Sequence, residues 1–478
     1  MVALEDMPIL DGLLKYADEN NIPFHIPGHK NNKRAFKELE IIKQNLYRID
    51  STEVLGLDNL HIPEGMILKA QEEAARAFKA KESFFLVNGS TCGIYSMIMG
   101  VTKPKDKIII QRNCHRSVYM ACFLGDLNPV YINPTILNEF NIAASIDEEE
   151  VVKVMDKNAD AKAIVLTYPT YYGTCCNLEK IISEAHKRNI LVLVDEAHGA
   201  HFYFNDKFPK GAMVSGADAC TVSMHKTTPS LTQTAILNIG ENIDSEGIRF
   251  MLRAHQTTSP SYIFMASIDS ARYIMEKRGE KLLDKLIDYI ADFKNKVKDI
   301  DMFKIIDISY KGRAKIYDID PARIVISSQI GGKRLEHILR YKYHIQVEMS
   351  DINNVVLVCS VGDTKESFEK LYDALKDISI NENPKMDCSI DIKFLEYKTA
   401  LNIKEAYYKK GRKVKLKESL GLISREMVAP YPPGIPILIP GEVITYDIIE
   451  YIEYIKSKGI ALNGMSDYKG EYIDTVEF

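Results

Sequence analysis

The 478-residue chain contains no apolar run of the roughly 20 residues that a membrane helix needs. Its opening segment, "MVALEDMPIL", carries acids where an export leader carries basic residues, so a cytoplasmic location is expected. A basic surplus is also missing. The net charge is −5 and the pI is near 6.2, which argues against a nucleic-acid binder. Cysteine is sparse and scattered: there are eight, and Cys175 and Cys176 are adjacent rather than spaced as C-x-x-C. Buried thiols are expected, not a disulfide framework. The G-x-x-x-x-G-K-S/T signature of nucleotide-triphosphate sites is absent, as are the H-E-x-x-H spacing of metal helices, internal repeats and low-complexity segments.

What remains is ordinary for a soluble globular protein, 46% hydrophobic and 27% charged, and long enough for two or more domains. Between residues 60 and 240 short apolar runs alternate with helical stretches. The runs are "SFFLVNG" (83–89), "KIIIQ" (107–111), "PVYINP" (129–134), "AIVLTYP" (163–169), "ILVLVDE" (190–196), "ACTVSMHK" (219–226) and "TAILNIG" (234–240). They are continuous rather than alternating, which suits strands covered on both faces, and the order implies a mostly parallel α/β sheet. The last two runs are too close for a crossover helix, so one of them is expected as an antiparallel edge. Residues 261–299 read as long helices. A smaller α/β pattern follows in "ARIVISS" (322–328), "HILRYKYHIQVEMS" (337–350) and "NNVVLVCSV" (353–361). The expected division is an N-terminal arm (1–50), a large domain (51–300) and a C-terminal α/β region (301–478), with a further subdivision near 385.

Ligands of open α/β sheets bind beyond the carboxyl ends of the strands. The residues that follow the runs there are Asn88-Gly89-Ser90-Thr91, Arg112-Asn113-Cys114-His115, Tyr168 to Gly173, Asp195-Glu196-Ala197-His198 and Ser223-Met224-His225-Lys226. Hydroxyls and amides at a helix start make an anion site, although "NGST" alone is equally a strand turn with an N-cap. Asp195, after a very apolar strand, needs a cation or strong donors. A protonated pyridine nitrogen would serve; metal binding with His198 and His201, or a structural ion pair, are the rivals. A partly desolvated Lys226 would have a lowered pKa and could condense with an aldehyde. Pyridoxal 5'-phosphate (PLP) asks for that set: a lysine, an acid for its ring nitrogen, hydroxyls for its phosphate, and a flat group such as His115 against its ring.

These residues resemble the fold-type-I PLP enzymes and, more narrowly, the bacterial ornithine/lysine/arginine decarboxylase family in its short form. The matching segments include "PFHIPGHK" (23–30), "DSTEVLGLDNLHIPEG" (50–65), "RNCHRSVYMA" (112–121), "LVDEAHGAHF" (193–202), "SMHKTTPSLTQTAIL" (223–237) and "VAPYPPGIPILIPGE" (428–442). The resemblance implies an aspartate-aminotransferase-like large domain, a smaller C-terminal domain, PLP as cofactor and no metal. It makes Lys226 the Schiff-base lysine, Asp195 the partner of the ring nitrogen and His115 the stacking residue. Ser90, Thr91 and Ser223 would hold the phosphate, His225 or Lys226 would deliver the proton to Cα, and His198 would lie near the ring hydroxyl or substrate carboxylate. Thr257 would reach the phosphate in a neighbouring subunit, so a homodimer or higher homo-oligomer with shared sites is expected. One departure is that Asn31-Asn32-Lys33 follow "PGHK", where the family commonly has glycine. The implied reaction is decarboxylation of a basic amino acid: arginine to agmatine, in polyamine synthesis, ahead of lysine to cadaverine or ornithine to putrescine. An aminotransferase, an aldolase or a non-catalytic scaffold are the other classes. For the cationic tail the candidate carboxylates are Glu442, Glu426 and Glu53, with "YPPGIP" (431–436) as a pocket wall.

Overall fold

All seven apolar runs enter one sheet in the computed structural model, which describes residues 6–32, 34–384, 397–431 and 435–477. In chain order the strands are β1 (Ile22–Phe24), β2 (Glu82–Leu86), β3 (Lys107–Gln111), β4 (Asn128–Ile132), the hairpin β5 (Thr135–Leu137) and β6 (Ile142–Ser145), β7 (Ala163–Thr167), β8 (Thr174–Cys175), β9 (Leu191–Asp195), β10 (Ala219–Val222) and β11 (Ala235–Ile239). The large sheet has the order β2-β11-β10-β9-β7-β3-β4. Neighbours from β10 to β4 are parallel. The reversed strand is β11, antiparallel to both β10 and β2. It is therefore interior and not an edge. The short link over residues 223–234 turns the chain straight back beside β10, and β2 then covers the free side of β11.

The continuous apolar runs have a simple cause. Side chains of successive strand residues face opposite ways, and here each face has its own core. Ile109, Ile164, Val192, Val194 and Val222 join one core, with Ile181, Ile268 and Phe293. Ile108, Ile110, Val165, Leu193 and Leu237 join the other, with Met97, Val118 and Ile248. The stretch expected as several long helices is one helix of 36 residues, Tyr262–Val297.

The next strands are β12 (Phe303–Ile305), β13 (Asp318–Ile319), β14 (Arg323–Ser328), β15 (Ile345–Val347), β16 (Met349–Ser350) and β17 (Asn354–Val358). A second, antiparallel sheet has the order β12-β14-β17-β16. Its residues Ile324, Ile326, Val355 and Leu357 belong to the same continuous core as Ile109 and Val194. Residues 416–473 build a separate core around Leu438, Ile448 and Ile473. The expected subdivision near 385, and Pro432 to Gly434 of the expected pocket wall, lie outside the described residues.

The N-terminal arm stitches these parts together. Strand β1 pairs in parallel with β15. The Gly28 N–H donates to the His225 carbonyl at 2.7 Å, and the Lys30 ammonium donates to the His25 and Val358 carbonyls, each at 2.6 Å. A Cβ at Gly28 would stand 2.6 Å from the Thr228 carbonyl oxygen, so only glycine lets the arm lie against the lysine loop. Lys30, Asn31 and Asn32 all have positive φ, between 51° and 54°. Asparagine tolerates that region best among residues other than glycine, which suits Asn31 and Asn32 to this turn.

Candidate active site

Lys226 sits on a one-turn helix, Met224–Thr227, directly after β10. Asp195 ends the neighbouring strand β9, in register with Thr221 on one side and Thr167 on the other. Its carboxylate is buried and accepts from the Ala197 N–H at 3.2 Å. Burial pushes Asp195 up, and the charge of Lys226 opposes that rise. Burial lowers Lys226, while Asp195 and Glu348 pull the other way. The Lys226 Nζ lies 3.0 Å from Nε2 of His198. His198 is held well below the ordinary imidazole range by burial, by Lys226 and by Arg323.

The other rim residues converge on the same edge. Ser223 donates to the Ser90 hydroxyl at 2.8 Å, which ties the lysine loop to the first turn of helix Gly89–Val101, where Thr91 follows. His115 caps helix Arg116–Gly125, its Nδ1 accepting from the Ser117 N–H. Crowding by protein atoms, with the charges of Lys226 and Arg116, pushes it down to about 4. His225 lies 2.9 Å from the Thr234 carbonyl through Nδ1. A carbonyl only accepts, so Nδ1 carries the hydrogen and Nε2 keeps its lone pair. Burial pushes His225 down to about 4 as well.

One of the three expected tail carboxylates is corrected. Glu442 is fully buried and bound bidentately to Arg112, at 2.8 and 2.9 Å, with a third bond from the Ile439 N–H. Its charge is already neutralised by the Arg112 guanidinium, which leaves it poorly suited to pair with a substrate cation. Glu426 accepts from the Ser466 N–H and is buried in the C-terminal part. Glu53 is half-buried near Tyr262; its Oε1, like Oε2 of Glu426, has no hydrogen-bond partner among the described residues. Thr257 is exposed, its hydroxyl 3.4 Å from Ser259 and its carbonyl 2.8 Å from Nε2 of His61; within one chain it makes no bond to the lysine site.

The structure also supplies residues that reading the strand ends missed. Arg323, the first residue of β14, places Nη2 2.6 Å from Nδ1 of His198. Glu348, between β15 and β16, accepts from the Tyr171 hydroxyl at 2.8 Å and the Ile26 N–H at 2.9 Å. Its charge is felt by Lys226 and His225. The edge of the Tyr171 ring meets His198 with centroids 5.1 Å apart. From the arm, His29 faces His225 and is pushed down to about 4 by burial and Lys30. The available sequence signal was a charged residue inside each of two otherwise apolar strand runs, "ARIVISS" and "HIQVEMS".

A lysine loop after one parallel strand, an aspartate ending its neighbour and a glycine-started helix beside both define the fold-type-I architecture. A Francisella novicida lysine decarboxylase, LdcF, superposes with a TM-score of 0.80 at 21% identity, over 94% of this chain and 78% of that one. The family is narrower. Residues 7–324 match the major domain of the Orn/Lys/Arg decarboxylases and residues 393–474 match their C-terminal domain. The chain belongs to that family. It is 36% identical to the arginine decarboxylase of Bacillus anthracis over 97% of this chain and 95% of that protein. Against the arginine decarboxylase of Bacillus subtilis it is 35% identical, covering 97% and 96%. The lysine decarboxylase LdcA of Pseudomonas aeruginosa is 23% identical, covering 97% and 78%.

Proposed function

We propose that this chain decarboxylates a basic L-amino acid, arginine first, with PLP held at Lys226. The observation that carries the reading is the pairing of a lysine depressed by burial with a buried aspartate on the adjacent strand. The residues fit the group. Asp195 is a buried acid with a single bond donated to it, from Ala197, so it has capacity for a ring N–H. The Ser90 and Ser223 hydroxyls meet at a helix start, where an anion is favoured.

When bound, PLP supplies a cationic ring that accepts the electron pair left by departing CO2. Asp195 would hold the proton on the ring nitrogen through a charge-assisted hydrogen bond. Lys226 offers its lone pair for attachment and takes a proton on release. His115 would lie against the ring. His225 receives a proton at Nε2, because its other nitrogen is committed to Thr234, and donates only after it has been charged. Glu348 takes the place of Glu442 among the carboxylates for the tail: it is half-buried, acts on Lys226 and is oriented by Tyr171, as a reader of a guanidinium or ammonium tail should be. A second copy of the chain completes the site in this reading. Support comes from exposed apolar residues Val54, Leu55, Ile62 and Met66 in the stretch around His61, which contacts Thr257.

The test is a substrate panel. Arginine, lysine and ornithine are supplied separately with PLP, and CO2 and amine are measured. Agmatine from arginine at the highest kcat/KM, with borohydride fixing PLP to Lys226 and Lys226→Ala inert, is the expected result. Keto-acid formation, or PLP fixed elsewhere, overturns the reading.

A further inference from the structure

Arg323 is only 2% exposed, yet its Nε and Nη1 have no hydrogen-bond partner among the described residues. The stem reaches this place past Gly173, where φ is +83° and an added Cβ would stand 2.4 Å from the Arg323 Cβ. The contact the guanidinium does make is informative. Arginine has N–H donors and no acceptor, so at 2.6 Å from His198 it must donate, and Nδ1 must accept. A neutral imidazole that accepts at Nδ1 carries its hydrogen on Nε2. That N–H faces the Lys226 Nζ at 3.0 Å. An ammonium has no lone pair to receive it. Lys226 therefore meets His198 as a free amine.

We propose that Arg323 is a positioning residue for Lys226: its bond to Nδ1 fixes the His198 tautomer, and the Nε2–H so placed accommodates the lysine only in its unprotonated, nucleophilic form. The tautomer cannot reverse without Arg323 losing its bond. The Tyr171 ring, 5.1 Å from the imidazole and 5.8 Å from the guanidinium carbon, holds both groups in place. The surrounding charges show why such a device is needed. Asp195 from β9 and Glu348 beside β15 favour the ammonium, while burial and Arg323 oppose it. His115, His225 and His29, each pushed down to about 4, are neutral neighbours that add no cation at neutral pH. Against two carboxylates, Arg323 is the permanent cation that acts from the small sheet.

This inference rests on Lys226 being the reactive amine proposed above. Its first test needs no cofactor. In the full-length chain freed of PLP, 15N spectra of the histidines, assigned with His198→Gln, should show His198 with hydrogen on Nε2. In Arg323→Met the hydrogen should move to Nδ1 or divide between the two nitrogens, and Arg323→Lys should restore part of the Nε2 form. The second test is the rate of PLP uptake against pH. At pH 7 Arg323→Met should take up PLP severalfold more slowly, with the gap closing in strong base. A wild-type His198 with hydrogen on Nδ1, or an unchanged uptake profile in Arg323→Met, overturns the proposal. If Arg323→Met does not fold, the wild-type tautomer still decides. A chain that takes up no PLP at any pH would sink the functional reading, and the tautomer would still judge the relay.

Discussion

Arg112 and Arg323 are both buried guanidiniums, 3% and 2% exposed, and the fold treats them in opposite ways. Arg112 is neutralised, with only its Nε left without a hydrogen-bond partner among the described residues. Glu442 takes two of its N–H groups, the Tyr397 ring lies 3.7 Å from its guanidinium carbon, and Tyr131 and Tyr119 stand at 5.1 and 5.8 Å. Arg323 has one imidazole and two unpartnered nitrogens. The first arrangement fastens the C-terminal part to the end of β3. The second leaves donor capacity beside the reactive lysine. Burial of a charge alone therefore does not mark a site; incomplete neutralisation does.

The sharpest way to break this comparison is to open the closed corner. Glu442→Ala leaves Arg112 buried and unpaired, and should lower the unfolding free energy by about 3–5 kcal/mol. The double variant Arg112→Met with Glu442→Leu should recover most of that loss, because a buried pair replaced together by apolar residues is often neutral. Arg323→Met should cost less than about 1 kcal/mol, since it removes a charge that no carboxylate neutralises. Urea unfolding of the four proteins measures this directly. Equal losses for Glu442→Ala and Arg323→Met would end the distinction.

The same contrast explains what sequence could and could not tell. The strands were legible because each is buried on both faces, which forces an unbroken apolar run. Asp195 and Lys226 were legible because each follows such a run at the edge where parallel strands open a cleft. Arg323 and Glu348 were not, because they come from an antiparallel sheet, one at a strand's start and one between two short strands. No rule about carboxyl ends finds them; only tertiary packing brings them to Lys226. Glu442 was misread for the converse reason. Its local sequence, "IPGE", shows an acid after a turn, and nothing in it reveals Arg112 330 residues away. The interior position of β11 was hidden likewise, since a tight return fixes its direction but not which strand covers its far side.

The two corners also respond differently to acid. The guanidinium–carboxylate corner holds no imidazole, whereas the lysine corner holds several. An unfolded imidazole titrates near 6.5, and His225 in the fold is pushed down to about 4. Between those values the unfolded chain binds a proton that the folded chain does not. Stability is therefore lost as pH falls from about 6.5 toward 4. Between pH 7 and pH 5 His225 alone should account for about 2 kcal/mol of that loss. His29 acts in the same direction. His225→Gln should flatten the dependence in urea titrations at the two pH values; a wild-type protein equally stable at both would contradict the buried, neutral ring.

The smallest expected effect bears on substrate choice. Glu348 differs from Glu442 in the way that Arg323 differs from Arg112. It accepts from Tyr171 and Ile26 but forms no ion pair among the described residues, and it remains half-buried. A carboxylate so placed keeps lone pairs for a cationic tail, and one charge-assisted bond contributes about 1.5–3 kcal/mol. Glu348→Gln keeps the shape and one acceptor oxygen while removing the charge. KM for arginine should rise about tenfold, with kcat falling less, because the lost contact is made equally in the ground and transition states. Norvaline, which has no cation, should be indifferent to the change. A KM for arginine that does not move would reduce Glu348 to an acceptor for the arm's backbone and return the choice of tail to residues of a second subunit.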